Sequence, residues 1–247
     1  MPTNSEELVL RLRAAHTIVA LTGAGVSAAS GIPTFRGNAG LWRQYRAEDL
    51  ATPEAFAHDP RTVWEWYDWR RTTIAAARPN AAHAVLAKWS RRPGFTLITQ
   101  NVDGLHERAG TAGVIRFHGS IWELRCATAC GAVPWEDRAT PLTTLPPTCP
   151  SCGRIARPGV VWFGEGIEPD VLARASAAAA GADVFLSIGT SSLVFPAAGL
   201  LHHAKRNGAF TVEINPDATD VSRLVDLAIA APAEEALATL DSRIRVF

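Results

Sequence analysis

Residues able to do chemistry fall in three places along this chain. The stretch Phe95 to Asp103 (FTLITQNVD) begins β-branched and aromatic and ends in Gln100, Asn101 and Asp103. It reads as a buried strand that delivers three polar side chains beyond its carboxyl end, where ligands sit in an open α/β sheet. His118, within Phe117-His118-Gly119-Ser120, is predicted at a second strand end. Imidazole is the side chain best suited to take a proton near neutral pH. A lone histidine is more often buried and satisfied by backbone. Of the seven histidines, only His118 joins a strand end to a following glycine, and His106 is its nearest competitor.

The four cysteines form the pairs Cys126/Cys130 and Cys149/Cys152, separated by 18 residues. Thiolates a few residues apart bind one side of a tetrahedral ion, and a second pair closes it. Four sulfur ligands leave no open position, so the pattern predicts one structural Zn²⁺ rather than a catalytic one. The third place is Gly23-Ala24-Gly25-Val26-Ser27-Ala28, which follows an apolar run and is predicted to open a helix. That context suits a dinucleotide pyrophosphate, with glycines admitting the phosphates and helix amides donating to them. A dehydrogenase would carry an acidic residue about 20 positions further on. Here that region, Phe35 to Trp42, reads as loop, which argues against an ordinary dehydrogenase.

These residues need elements to hold them. Helical spacing is predicted over Glu6–Ala15, and strands at Thr17–Leu21, 94–99, Val114–Phe117, Gly159–Phe163, Val184–Ile188, Phe210–Ile214 and 227–230. A helix is expected from near Ser27. Thr52-Pro53 and Asp59-Pro60 each place a capping residue before proline, the second opening a long helix to about Ala77. Asn80 caps a helix to about Trp89, and further helices are read at 103–109, 169–180, 196–207 and 232–240. Strands alternating with helices imply a parallel, doubly wound sheet. The expected fold class is α/β, a Rossmann-like sheet with a small split domain. Residues 1–35, 79–120 and 158–247 are assigned to the nucleotide-binding domain. The small domain combines a helical module, 36–78, with a zinc-binding module, 121–157.

With 247 residues, 47% of them hydrophobic, the chain is globular. Lys+Arg and Asp+Glu both number 24, so no net field favours nucleic acid or an anionic membrane. No apolar run reaches membrane-spanning length, and the start, MPTNSEE, does not read as a signal peptide. A cytoplasmic location is expected, where clustered cysteines bind metal rather than form disulfides.

The chain resembles the sirtuins, NAD-dependent protein lysine deacylases. The matching stretches, in family order, are Gly23–Ser27, Gly31–Arg36, Thr99–His106, Phe117–Gly119, the two cysteine pairs, Val161–Glu165, Gly189–Ser191 and Asn215-Pro216. The resemblance implies that NAD⁺ is consumed, releasing nicotinamide, free lysine and O-acyl-ADP-ribose. It implies NAD contacts at Gly23, Ala24, Gly25, Ser27, Pro33, Thr34, Phe35, Arg36, Trp42, Gln100, Asn101 and Asp103. The adenosine half would meet Gly189, Thr190, Ser191, Asn215, Pro216 and Ala233. His118 would be the general base, with Asn101 and Asp103 in the catalytic group. Val161, Trp162, Phe163 and Gly164 would pair with the backbone of an acylated peptide.

Tyr67 and Arg70 lie three apart on the predicted helix that opens at Asp59-Pro60, hence on one face. A guanidinium beside a phenol can receive a carboxylate. An aromatic helix stripe with solvated arginines is the plainer reading, but the placement resembles the sirtuin branch that removes succinyl or malonyl groups. Protein ADP-ribosylation and a non-enzymatic NAD or zinc-ribbon interaction module are the rival functions. The expected partners are acylated lysines of proteins, with no nucleic acid or membrane; the sequence does not fix the oligomeric state, and a monomer is favoured.

Overall fold

The computed structural model describes residues 4–35 and 46–244. Arg36 and Trp42 lie outside the described residues. Its centre is a six-stranded parallel sheet in the order β3-β2-β1-β7-β8-β9. These strands are β1 (Ile18–Thr22), β2 (Phe95–Thr99), β3 (Ile115–Arg116), β7 (Val184–Ile188), β8 (Phe210–Ile214) and β9 (Leu227–Ile229). β1 pairs with β2 on one side and with β7 on the other. The chain therefore reverses its direction of travel between β1 and β7, and the crevice beyond their carboxyl ends is the switch point where such sheets take ligands.

β1 and β7 are buried at every residue. Both faces are covered, as a parallel sheet requires. One face packs α1 (Asn4–Ala14), α5 (Ala81–Trp89) and α9 (Ala233–Ile244) through Leu8, Leu12, Leu86, Trp89, Leu237 and Leu240. The other packs α7 (Pro169–Ala180) and α8 (Ala197–Arg206) through Ala175, Ala179, Leu200 and Leu201 against Val19, Ile98 and Phe185.

A third core lies apart from the sheet. The helices α2 (Ala47–Leu50), α3 (Pro53–His58) and α4 (Pro60–Ala76) pack on a three-stranded sheet in the order β5-β4-β6. Its strands are β4 (Gly119–Cys126), β5 (Trp135–Glu136) and β6 (Ala156–Val160), and Trp64, Tyr67, Ile121, Trp122 and Trp162 fill the space between. The predicted caps are present. Thr52 accepts from Ala55 N, Asp59 from Thr62 N, and Asn80 from Ala82 N and His83 N.

Two local expectations are corrected. The segment after β1 is a 3-10 helix, Ala24–Ser30, ending at Gly31 in the left-handed region, so the helix begins before the expected Ser27. Its glycines also answer a different demand. A Cβ at Gly25 would stand 2.8 Å from Gly189 Cα and O, and Gly25 N donates to Gly189 O at 2.8 Å. Glycine is needed for two loops of the protein to touch at the switch point, and that amide is already used. Gly25→Ala is expected to force these loops apart, costing roughly 1–3 kcal/mol as an overpacked contact does. A thermal melt checks it, and an unchanged midpoint would contradict the contact.

The second correction concerns 159–163. The strand is Ala156–Val160 and stops before Val161. The three following amides are bound internally: Val161 N to His118 O, Trp162 N to Glu165 Oε2 and Phe163 N to Ala51 O, at 3.0, 2.9 and 2.9 Å. A hydrophobic β-branched and aromatic run looks like strand, yet the chain turns at Gly164 so that Glu165 reaches back.

Candidate active site

A cavity of about 810 Å³ opens at the carboxyl ends of β1 and β7 and runs to the third core. The end of β2 crosses its floor. Gln100 N donates to Thr22 O at 2.9 Å, and Gln100 Nε2 donates to Thr190 Oγ1 at 2.9 Å. One glutamine thus ties the ends of β1, β2 and β7 together. Asn101 donates through Nδ2 to Gly23 O at 3.0 Å, locking it to the glycine loop.

His118 sits in the turn between β3 and β4 and lines the cavity. The glycine after it has φ 77°, and a Cβ there would meet Gly159 O at 2.2 Å, so no other residue fits this turn. His118 Nδ1 lies 3.2 Å from Gln100 O, which makes Nδ1 the donor and leaves Nε2 as a lone-pair acceptor. Burial pushes its pKa below the usual 6.5, with the Gln100 carbonyl opposing. The ring is therefore a neutral base at neutral pH.

The competing histidine has another role. His106 is 1% exposed, does not line the cavity, and its Nε2 lies 3.0 Å from Thr22 Oγ1. Burial pulls it to about 4, and its ring neighbour His83 to about 3. Asp103 stands behind the wall rather than in it. Burial raises its carboxyl pKa, against hydrogen bonds from Leu105 N at 2.8 Å and Ser27 Oγ at 2.7 Å. Trp122 Nε1 holds its backbone oxygen at 2.7 Å.

At the inner end, α4 presents Tyr67 and Arg70, both buried and both lining the cavity. Arg70 Cζ lies 4.9 Å from the Phe35 ring, 4.8 Å from Trp66 and 5.7 Å from Tyr67. Among the described residues it has no carboxylate or carbonyl partner. Burial pulls its pKa down, and Tyr67 and Asp103 oppose that. Among the described residues three aromatic faces and no hydrogen-bonded anion answer this buried charge, a costly arrangement. The next residue contrasts with it. Arg71 is fully buried and spends its guanidinium on Asp137 Oδ1 at 2.6 Å, Asp137 O at 2.8 Å and Ala139 O at 3.0 Å. It bolts α4 to the cysteine module.

In that module the four Sγ atoms lie within 4.8 Å of one another. Cys126 and Cys152 are 3.6 Å apart and Cys130 and Cys149 3.7 Å. A tetrahedral zinc with bonds of about 2.3 Å needs sulfurs about 3.8 Å apart, so the set fits the ion.

Of the residues read from sequence, Gly23, Ala24, Gly25, Thr34, Phe35, Gln100, Asn101, Gly189, Thr190, Ser191, Asn215, Pro216 and Ala233 line the one cavity. Val161, Trp162, Phe163 and Gly164 line it as well. Ser27, Pro33 and Asp103 do not. The sequence reading missed Leu193, Phe195 and the segment Asp217–Asp220, all on the wall. Phe195 is 71% exposed. An apolar run directly after Gly189-Thr190-Ser191 and before the next helix was the available signal.

Residues 23–196 match the family model described as Sir2 family. The chain belongs to the Sir2 family. Among similar sirtuins, an NAD-dependent protein deacylase of Aquifex aeolicus is 54% identical over 211 residues, covering 85% of this chain and 87% of that one. NAD-dependent protein deacylase 1 of Archaeoglobus fulgidus is 47% identical over 241 residues, 97% of this chain and 98% of its own. A solved Sir2 homologue in complex with NAD superposes with a TM-score of 0.92 at 47% identity, over 98% of this chain and 94% of that one. The fold is thus shared with that homologue along nearly the full chain.

Proposed function

We propose that this protein is an NAD-dependent protein-lysine deacylase that favours acyl groups ending in a carboxylate. The observation that carries the reading is one cavity holding two chemistries. His118 offers it a neutral ring nitrogen, and the buried Arg70 on the same wall awaits an anion. NAD⁺, when bound, would supply the ribose carbon that bonds to the acyl oxygen as nicotinamide leaves. The glycine loop, Thr34, Phe35, Gln100 and Asn101 would hold its pyrophosphate, ribose and nicotinamide, and Gly189–Ser191, Asn215 and Ala233 the adenosine half. His118 Nε2 takes a proton from a ribose hydroxyl, and the Gln100 carbonyl keeps Nδ1 protonated so that Nε2 stays free. Asp103, Ser27 and Trp122 fix the floor beneath. Catalysis is positioning plus one general base.

The lysine backbone would approach along 161–164. The amides of Val161, Trp162 and Phe163 are already bound, so a peptide would use carbonyls there or the Gly164 amide, or displace a bond. The division into a nucleotide-binding domain of 1–35, 79–120 and 158–247 and a small domain of 36–78 and 121–157 belongs to the same reading. No helix among the described residues is long and apolar enough to cross a membrane.

Acetyl, succinyl and malonyl peptides with NAD⁺, followed by mass spectrometry, test the assignment. Loss of the acyl mass supports it. Gain of ADP-ribose on the peptide would favour transferase chemistry instead. Arg70→Met tests the preference. It should lower kcat/KM for succinyl-lysine by roughly 2–5 kcal/mol, as removing one partner of a desolvated charge pair does. Acetyl-lysine offers no charge and should lose far less. Equal losses would leave deacylation standing and remove the preference.

A further inference from the structure

The phenol of Tyr67 is held in one polarity by a neighbour that cannot reverse it. Trp162 Nε1 lies 2.9 Å from Tyr67 Oη. An indole N–H only donates, so the phenol oxygen must accept there, and its own proton has to go elsewhere. Among the described residues nothing else takes that proton, and Tyr67 lines the cavity. The hydroxyl is thereby committed to donate into the space that Arg70 also faces. Two committed donors, one of them cationic, match an acceptor-only anion such as a carboxylate best, a neutral amide oxygen less well and an ammonium end not at all.

The indole itself is clamped. The Arg157 guanidinium stands 3.7 Å from its ring centroid, and the Phe56 ring lies at 5.2 Å. Arg157 grips Glu165 through both carboxylate oxygens at 2.6 and 2.8 Å, and Glu165 Oε2 accepts the Trp162 amide at 2.9 Å. Arg157 is not part of the cavity wall. The series Arg157, Glu165, Trp162, Tyr67 runs from the small sheet to the acyl end of the cavity.

We propose that Trp162, braced by Arg157 and Glu165, is a positioning residue for acyl selectivity that sets the Tyr67 hydroxyl as a donor toward a carboxylate-bearing acyl group. The inference rests on the carboxylate reading given above. Without the indole N–H the phenol proton can turn away, and its bare oxygen becomes an acceptor for Arg70 itself.

A double-mutant cycle decides it, read as the ratio of kcat/KM on succinyl to acetyl peptide. Trp162→Phe and Tyr67→Phe should each lower that ratio about tenfold, the scale of a hydrogen bond to a charged group. The double variant should also lower it about tenfold, because the indole acts only through the phenol. Independent losses multiplying to about a hundredfold would overturn the proposal, as would a Trp162→Phe effect equal on both peptides. Should Trp162→Phe not fold, Arg157→Met takes its place in the cycle, with a smaller drop of the same sign expected and no drop counting against it. Arg70→Met on the same panel separates the two readings. If Arg70→Met shifts the ratio while the cycle multiplies, only the role of Trp162 falls. If Arg70→Met does not shift it, the carboxylate reading falls and this one with it.

Discussion

Replacing His118 by alanine is expected to remove at least about 10²-fold of kcat/KM on every acyl peptide, the share typical of a positioned general base. The loss should be uniform across acyl groups, unlike that of Arg70→Met, because His118 serves the ribose and not the acyl chain. Folding should survive, since the turn is set by Gly119 against Gly159 and not by the imidazole. Melting and metal content therefore serve as controls. The pH dependence follows from the same geometry. Burial holds the His118 pKa below 6.5, so the base stays unprotonated, and kcat/KM stays level, as pH falls through neutrality. The acid limb of the profile should appear only below pH 6.5. Near-normal turnover by His118→Ala, or a limb centred above that value, would dismiss His118 as the base.

What the sequence disclosed, and what it hid, follows the range of the interactions. β1, β7 and β8 are short apolar runs between polar or glycine punctuation, and their boundaries fall within a residue of expectation. Thr52, Asp59 and Asn80 announce helix starts because capping is local chemistry between residues two or three apart. β4 was not legible. Its pairing with β6 shifts register between Ser120 and Leu124, and such an irregularity breaks the alternation by which a strand is recognised. The strand at 159–163 was placed too late for a related reason. Propensity favours strand at Val161-Trp162-Phe163, but Glu165 and Ala51 claim those amides from outside the sheet.

The site divides along the same line. Gln100, Asn101 and His118 could be found because each stands at the end of a readable strand. The anion box was legible only in part: Tyr67 and Arg70 share a predicted helix face, but Phe35 and Trp66 join Arg70 only when the glycine loop and α4 fold against each other. The purpose of Gly25 was likewise hidden. Its demand comes from Gly189, far along the chain, and looks in sequence like a demand from a phosphate.

Cys149→Ala should release the metal and unfold the module that carries β5 and the loops around it. Cys149 is 1% exposed, the most buried of the four thiols, and its amide bonds to Arg154 O at 2.7 Å within the turn that sets Cys152. The module has little else to hold it. β5 is two residues long, and the stretch between Glu136 and Thr148 has no regular element. For so small a unit, the affinity for zinc is folding free energy. Loss of a structural metal should cost roughly 3 kcal/mol or more, about 10 °C in melting midpoint for a chain of this size. The damage should also travel. Asp137 and Ala139 are the groups that hold Arg71, and Leu142 N is held by Asp68 at 2.8 Å, so the loosened loop frees two anchors of α4. Tyr67 and Arg70 are the immediate chain neighbours of those anchors on α4. Metal loss should therefore depress succinyl-lysine turnover more than acetyl-lysine turnover at temperatures where the chain remains folded. Wild-type protein stripped by a chelator should show the same midpoint shift and the same bias, and zinc should restore both. A purified protein with about one zinc per chain, whose melting and selectivity are unmoved by Cys149→Ala, would refute the structural role of the site.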